Sequence, residues 1–196
     1  MPNLSNPQGL IPTKYLNGAN WTGQANIYYI PSSVTTKLAI GDPVVSGGSA
    51  DAKGVPSIAR AADTGAIRGV IVGLGESPDA LLIRPNSPDS IIRPAVTTKA
   101  FYALVVDDPN VLFEVQEAGV APLAAADVGL NTNLTVVDAG DYFSKVTLDN
   151  ADKATTATLQ VKLFGLVRRI DNEFGANAKW LVKINAHELA AGTAGV

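Results

Sequence analysis

Val111-Leu112-Phe113-Glu114-Val115-Gln116-Glu117 decides the fold class. Val111, Phe113 and Val115 fall on one side of a period-two pattern, and Leu112, Glu114 and Gln116 fall on the other. Only a β-strand has that period, so the pattern predicts one face on a core and one toward solvent or a partner. The same alternation sets Leu159, Val161 and Leu163 against Thr158, Gln160 and Lys162. It recurs with Trp180, Val182 and Ile184 against Lys179, Lys183 and Asn185.

Working outward, short apolar runs stop at turn residues. They are Ile27–Ile30, Pro43–Ser46, Gly69–Gly73, Leu81–Arg84, Phe101–Val106, Leu134–Val137 and Phe143–Leu148. Thr156–Arg169 is the longest run and is expected to bend at Gly165. Strands this short, roughly 8–12 residues apart, predict an all-β fold, a β-sandwich or a jelly-roll-like β-barrel. Helical signal is weak: Pro122–Gly129 and Glu188–Ala191 have room for a turn or two each.

Residues 1–23 read as an extended N-terminal arm ahead of a β-rich domain over 24–196, which has room for two β subdomains. Pro2, Pro7 and Pro12, with Gly9, Gly18 and Gly23, argue against a regular element there. Yet Leu10, Ile11, Tyr15, Leu16 and Trp21 are larger apolar groups than a disordered linker carries. The arm is expected either to tuck onto its own domain or to dock on a neighbouring subunit, with Ile11, Tyr15 and Trp21 as its anchors. Deleting it is expected to weaken attachment to a partner more than it lowers the melting temperature. The mixed face bearing Leu112 and Glu114 is a second candidate contact.

The 196 residues can bury a substantial core without a disulfide or metal. There is no cysteine, which excludes a thiol nucleophile, an iron–sulfur cluster and a Cys-type zinc site. Net charge is −3, and Arg168–Arg169 is the closest approach to a basic stripe. A nucleic-acid partner is therefore not expected, because it needs a surface that neutralises phosphates. Charged residues make up only 17%, which suits a protein packed against others. The start Met1-Pro-Asn-Leu-Ser has no signal-peptide pattern, and no apolar stretch is long enough for a bilayer, so neither export nor membrane contact is expected.

Catalytic, cofactor and metal sites are not expected either. His187 is the only histidine, and it sits near an Ala- and Gly-rich end expected to fray rather than to hold a base. Asp107-Asp108, Asp138 with Asp141, and Asp149 with Asp152 flank turn residues, where Asp side chains cap the backbone. The rival reading is a β-barrel hydrolase working through these carboxylates. The glycine clusters around Gly41–Gly48 and Gly69–Gly75 complete no nucleotide-binding motif.

Several stretches carry a resemblance when taken in order. They are Gly41-Asp-Pro-Val-Val, Gly54-Val-Pro-Ser-Ile, Gly69-Val-Ile-Val-Gly73, Asp107-Asp-Pro-Asn-Val-Leu-Phe-Glu-Val-Gln-Glu117, Leu163-Phe-Gly-Leu-Val167, Asp171-Asn-Glu-Phe-Gly175 and Ala178-Lys-Trp-Leu-Val-Lys-Ile-Asn-Ala-His187. From about Gly41 to His187 the chain resembles capsid cement, or decoration, proteins of tailed bacteriophages. In that pattern an acidic pair follows the glutamine; Glu117-Ala118 stands here instead, a departure expected to affect a local surface. The resemblance implies a β-rich structural protein with no catalytic residues, on the outside of a virion assembled in a bacterial cytoplasm. It implies the major capsid protein as partner, with self-association as a dimer or trimer. The alternative is another virion β module, a head fibre or tail part that binds host glycan.

Overall fold

The computed structural model describes residues 3–76, 91–95, 100–140 and 142–192. It is all-β. In chain order the strands are β1 (Ile11–Tyr15), β2 (Asn26–Ile30), β3 (Leu38–Ala39), β4 (Pro43–Ala50), β5 (Pro56–Arg60), β6 (Gly69–Glu76) and β7 (Ile92–Arg93). Then follow β8 (Phe101–Val106), β9 (Val111–Gln116), β10 (Asn131–Thr132), β11 (Leu134–Thr135), β12 (Thr147–Leu148), β13 (Val161–Leu166) and β14 (Lys179–Ile184). The expected run Leu81–Arg84 and the carboxylate of Asp141 lie outside the described residues.

Five strands close a barrel in the order β2-β5-β4-β6-β8. Its interior is filled by Tyr28, Ile30, Val44, Ile58, Ile71, Leu74, Phe101 and Val105. The chain then leaves β8 through the Asp107–Asn110 turn and enters the second body, a five-stranded sheet ordered β1-β9-β14-β13-β10. The inner face of that sheet carries Val111, Phe113, Val115, Val161, Leu163, Trp180, Val182 and Ile184. These are the residues that alternation placed inside. They pack on Leu134 and Leu148 of the small β11–β12 pair, and on Ile67, Val70 and Val106 at the barrel's flank. The barrel wall therefore forms one side of the second core.

One end of the barrel is closed by Arg93 of β7, which is fully buried. Its guanidinium donates to the carbonyl oxygens of Pro31 (3.2 Å), Val34 (2.6 Å), Thr36 (3.0 Å) and Pro94 (3.3 Å). It also lies 5.9 Å from the centre of the Phe101 ring. A buried cation held by carbonyl dipoles ties the 31–36 loop to the β3–β7 pair.

Three expectations are corrected. First, the proline- and glycine-rich start does hold a regular element: β1 pairs antiparallel with β9 from Ile11↔Glu114 to Tyr15↔Val111. Pro12 is tolerated because β1 is an edge strand, where a missing N–H costs no ladder bond. Leu10 beside it is buried, and Tyr15 and Trp21 pack against the second core of their own chain. Gly9 and Gly41 permit this docking. A Cβ on Gly9 would collide with the Gly41 carbonyl, a Cβ on Gly41 would collide with the Gln8 carbonyl, and both residues hold positive φ.

Second, the face of β9 expected to meet solvent or a partner is covered. Leu112 and Glu114 are only 3% and 7% exposed, and Gln116 is buried as well. Glu114 is sealed by Arg169 at 2.6 Å, and Gln116 accepts a hydrogen bond from the backbone of Asn6 (3.0 Å). Glu117, placed on a local surface, is fully buried under Trp180 and accepts from the backbone N–H of Leu123 (2.9 Å).

Third, the later runs are shorter than their composition suggested. Leu134–Val137 and Phe143–Leu148 yield two-residue strands, and Thr156–Arg169 yields only Val161–Leu166. The bend at Gly165 is present as a register slip between Leu163 and Gly165. Pro122–Gly129 contains one turn of 3-10 helix, Ala125–Asp127. Glu188–Ala191 makes turns rather than helix. Among the described residues no helix is long and apolar enough to cross a membrane.

Candidate functional site

Two places concentrate polar or exposed groups that the folding pattern alone does not require. One is the seam between barrel and sheet. The other is a groove on the outer face of the sheet.

At the seam, Asp107 turns inward while Asp108 does not. Asp108 accepts from the Asn110 N–H at 2.8 Å, the turn-capping role read from the sequence. Asp107 instead accepts from the Tyr28 hydroxyl (2.6 Å) and the Asn26 side-chain amide (2.8 Å). The Arg68 guanidinium donates to the Tyr28 hydroxyl (2.9 Å) and sits 3.8 Å from Asp107 and 3.9 Å from Glu188. Glu188 in turn accepts from the backbone and hydroxyl of Ser46 on β4. Burial, then the bond to Asp107, pushes the Tyr28 hydroxyl above its ordinary pKa. One network thus joins β2, β4, the link between the two bodies and the C-terminal segment.

His187 belongs to the same seam and is not frayed. It is 4% exposed and bridges to Ile67 in parallel. The Ile67 N–H donates to Ala186 O (2.8 Å), and the Glu188 N–H donates to Ile67 O (3.0 Å). The ring accepts from the Leu189 N–H through Nδ1 at 3.0 Å. Burial lowers its pKa, against a smaller raising effect of Asp107; Arg68, Glu188 and Lys183 are the other charges that act on it. A lowered pKa means that its contribution to stability is complete above the ordinary value near 6.5 and is lost as pH falls through the folded value. Melting temperature is therefore expected to drop between about pH 7 and pH 5, and to drop less in His187→Asn, whose side-chain oxygen keeps an acceptor for Leu189. Glu117 and Asp42, both pushed up by burial, act in the opposite sense, since their contribution is lost as pH rises. Comparing the two profiles calorimetrically isolates the histidine, and parallel profiles would contradict its buried, neutral role.

The other described carboxylates of these clusters are also occupied. Asp138 pairs with Arg60, Asp149 accepts from the Ala151 N–H (2.9 Å), and Asp152 accepts from Asn133 (3.0 Å). Among the described residues no three His, Asp or Glu side chains group as a metal site. Asp107→Ala would leave the Tyr28 O–H and the Asn26 amide without their acceptor and take from Arg68 one of its two carboxylates. It is expected to cost about 2–3 kcal/mol, against about 0.5–1 kcal/mol for Asp108→Ala, read from urea denaturation.

The groove lies over Glu114 and Leu181 and has a volume of about 790 Å³. Phe164 and Leu166 of β13 form one side. Phe174 closes another, seated edge-on to Trp180 with ring centres 5.7 Å apart. Three of its apolar residues are well exposed: Val128 at 41%, Phe164 at 42% and Phe174 at 49%. Thr13, Lys14 and Asn20 from the N-terminal segment, with Arg168, complete the rim.

No family model, no curated protein and no solved structure matches this chain.

Of the residues singled out from the sequence, Glu114 reaches this groove, whereas Ile11 is exposed at its strand's start and Leu112 is enclosed. Tyr15 and Trp21 anchor the N-terminal segment, and both bond to Gln24 through the phenol (3.1 Å) and the indole (3.0 Å). Phe164, Phe174, Thr13 and Lys14 are not among the contacts expected from the sequence, and Arg168 is named there only as half of a basic pair. The signal available for Phe164 was Leu163-Phe-Gly-Leu-Val167, where it falls opposite Leu163 in a period-two pattern and so points away from the core.

Proposed function

We propose that this chain is a capsid cement protein of a tailed bacteriophage, attached to the outer surface of the head and bridging subunits of the major capsid protein. The observation that carries the reading is the ordered series of motifs from Gly41 to His187. The geometry supports a binding role in two ways. The described carboxylates on which a hydrolase would draw, Asp107, Asp108, Asp138, Asp149 and Asp152, each hold an internal bond. Exposed apolar groups instead line a groove on the outer sheet face, where Val128, Phe164 and Phe174 stand. Apolar surface left on an outer face marks a place for a partner. Many copies on one shell would turn modest contacts into firm attachment through effective concentration. Self-association as a dimer or trimer at local symmetry axes belongs to the same reading.

Electron microscopy of the virions tests it. Density for this chain over the capsomers is expected, and its absence from the head, or its presence on the tail alone, would end the proposal. A second reading, a head-fibre or tail module that binds host glycan, is favoured by the adjacent exposed aromatics Tyr142 (67%) and Phe143 (49%). A glycan array separates the two, since cement function requires no sugar.

A further inference from the structure

We infer that the groove over Glu114 and Leu181 is the docking site for a short segment of the capsid protein that brings apolar side chains together with a carboxylate. This rests on the shell-binding reading and names the surface it uses. The apolar requirement follows from the walls. Val128, Phe164 and Phe174 are each more than two-fifths exposed around one concavity, and Leu181 lies on the floor. A water-exposed apolar concavity of that kind gains most when apolar side chains fill it.

The carboxylate follows from the charges. Glu114 on the floor is already held by Arg169 at 2.6 Å, with Lys179 at 3.8 Å, so it has no need of a further cation. Lys14 and Arg168 line the same groove, and neither has an ion-pair partner among the described residues. The groove is thus cationic on a chain whose net charge is −3. An arginine beside a half-buried lysine at an apolar cleft is complementary to an acidic side chain, and a guanidinium can take a carboxylate in two parallel bonds. Complementarity of this sort also rejects a basic segment, because like charges would be brought together as the apolar walls close.

The test uses the full-length protein and DNA-free heads of the phage that encodes it. Lys14→Gln combined with Arg168→Gln is expected to weaken binding to heads at least about tenfold while leaving the melting temperature unchanged, because neither side chain has an ion pair among the described residues. A photoreactive benzoylphenylalanine in place of Phe164 is expected to cross-link, on illuminated heads, to an Asp- or Glu-containing segment of the capsid protein. If the wild type binds heads but the double variant binds within twofold of it, the groove proposal falls and the shell reading stands. Cross-links that lead only to a second copy of this chain, or to a segment without a carboxylate, overturn it too. If the wild type fails to bind heads at all, the shell reading itself falls.

Discussion

A chain beginning at Gln24 is expected to lose its cooperative unfolding transition. From composition, residues 1–23 read as an appendage whose removal would spare stability. The sheet says otherwise. Truncation deletes β1, which supplies one neighbour of β9, and it deletes Leu10, which is 1% exposed among the core residues. Emptying a buried leucine site alone costs about 2–5 kcal/mol, and a whole domain of this kind is stable by only about 5–15 kcal/mol. Loss of Tyr15 and Trp21 from the core margin adds to that, and β9 would become a bare edge. Urea titration followed by near-ultraviolet circular dichroism reads the result. A sharp transition with near-native midpoint would show that β1 is dispensable. Removing only residues 1–6 is a milder cut. It forfeits the bonds of Asn3 to the 173–176 loop and of the Asn6 N–H to Gln116, and is expected to cost about 1 kcal/mol. That shorter deletion is the one suited to measuring attachment to a shell without unfolding the protein.

The two outcomes show which physical signals a sequence carries. Period-two alternation in β9 and β14 placed Phe113, Val115, Trp180 and Val182 inside, because burial of one strand face is written residue by residue. It could not show what lies over the other face. Leu112 and Glu114 are covered by groups distant in the chain, the Arg169 side chain among them, and that proximity exists only after folding. β1 was hidden by Pro12, which reads as a strand breaker unless the strand is known to be an edge. β5 was hidden in the same way, with Pro56 at its start. Asp107 and Asp108 are identical and adjacent, yet one caps a turn and the other anchors the seam. Only the direction of the backbone at the end of β8 separates their roles. The groove was legible in part: Phe164 stands out of phase with Leu163, but nothing local reveals that Phe174 and Lys14 meet it in one concavity.

Trp180→Ala is expected to lower the unfolding free energy by about 3–5 kcal/mol, and the melting temperature by roughly 10 °C, because it empties the largest fully buried side chain in the molecule. The cavity is only part of the effect. Trp180 donates its indole N–H to Glu117 at 3.3 Å, and Glu117 is fully buried, with one carboxyl oxygen lacking a partner among the described residues. Burial already raises the Glu117 pKa, and removing a donor to its charged form raises it further. The sign follows from that. Stability from a group whose folded pKa is raised is complete below its unfolded value near 4.5 and is lost as pH rises through the folded value. Trp180→Ala should therefore be more damaging at pH 7 than at pH 5, whereas a pure cavity would cost the same at both. Trp180→Phe restores most of the volume but not the donor, so it is expected to keep the pH dependence while losing only about 1–2 kcal/mol. Trp180→Ala also removes the surface against which Phe174 stands, at 5.7 Å from the indole. The wall of the groove is thus held by the core beneath it. Binding to heads should weaken in Trp180→Ala even where the protein remains folded, and unchanged binding would separate groove from core. Chemical denaturation at the two pH values, with head binding measured below the melting transition, distinguishes the three contributions of cavity, lost donor and displaced wall.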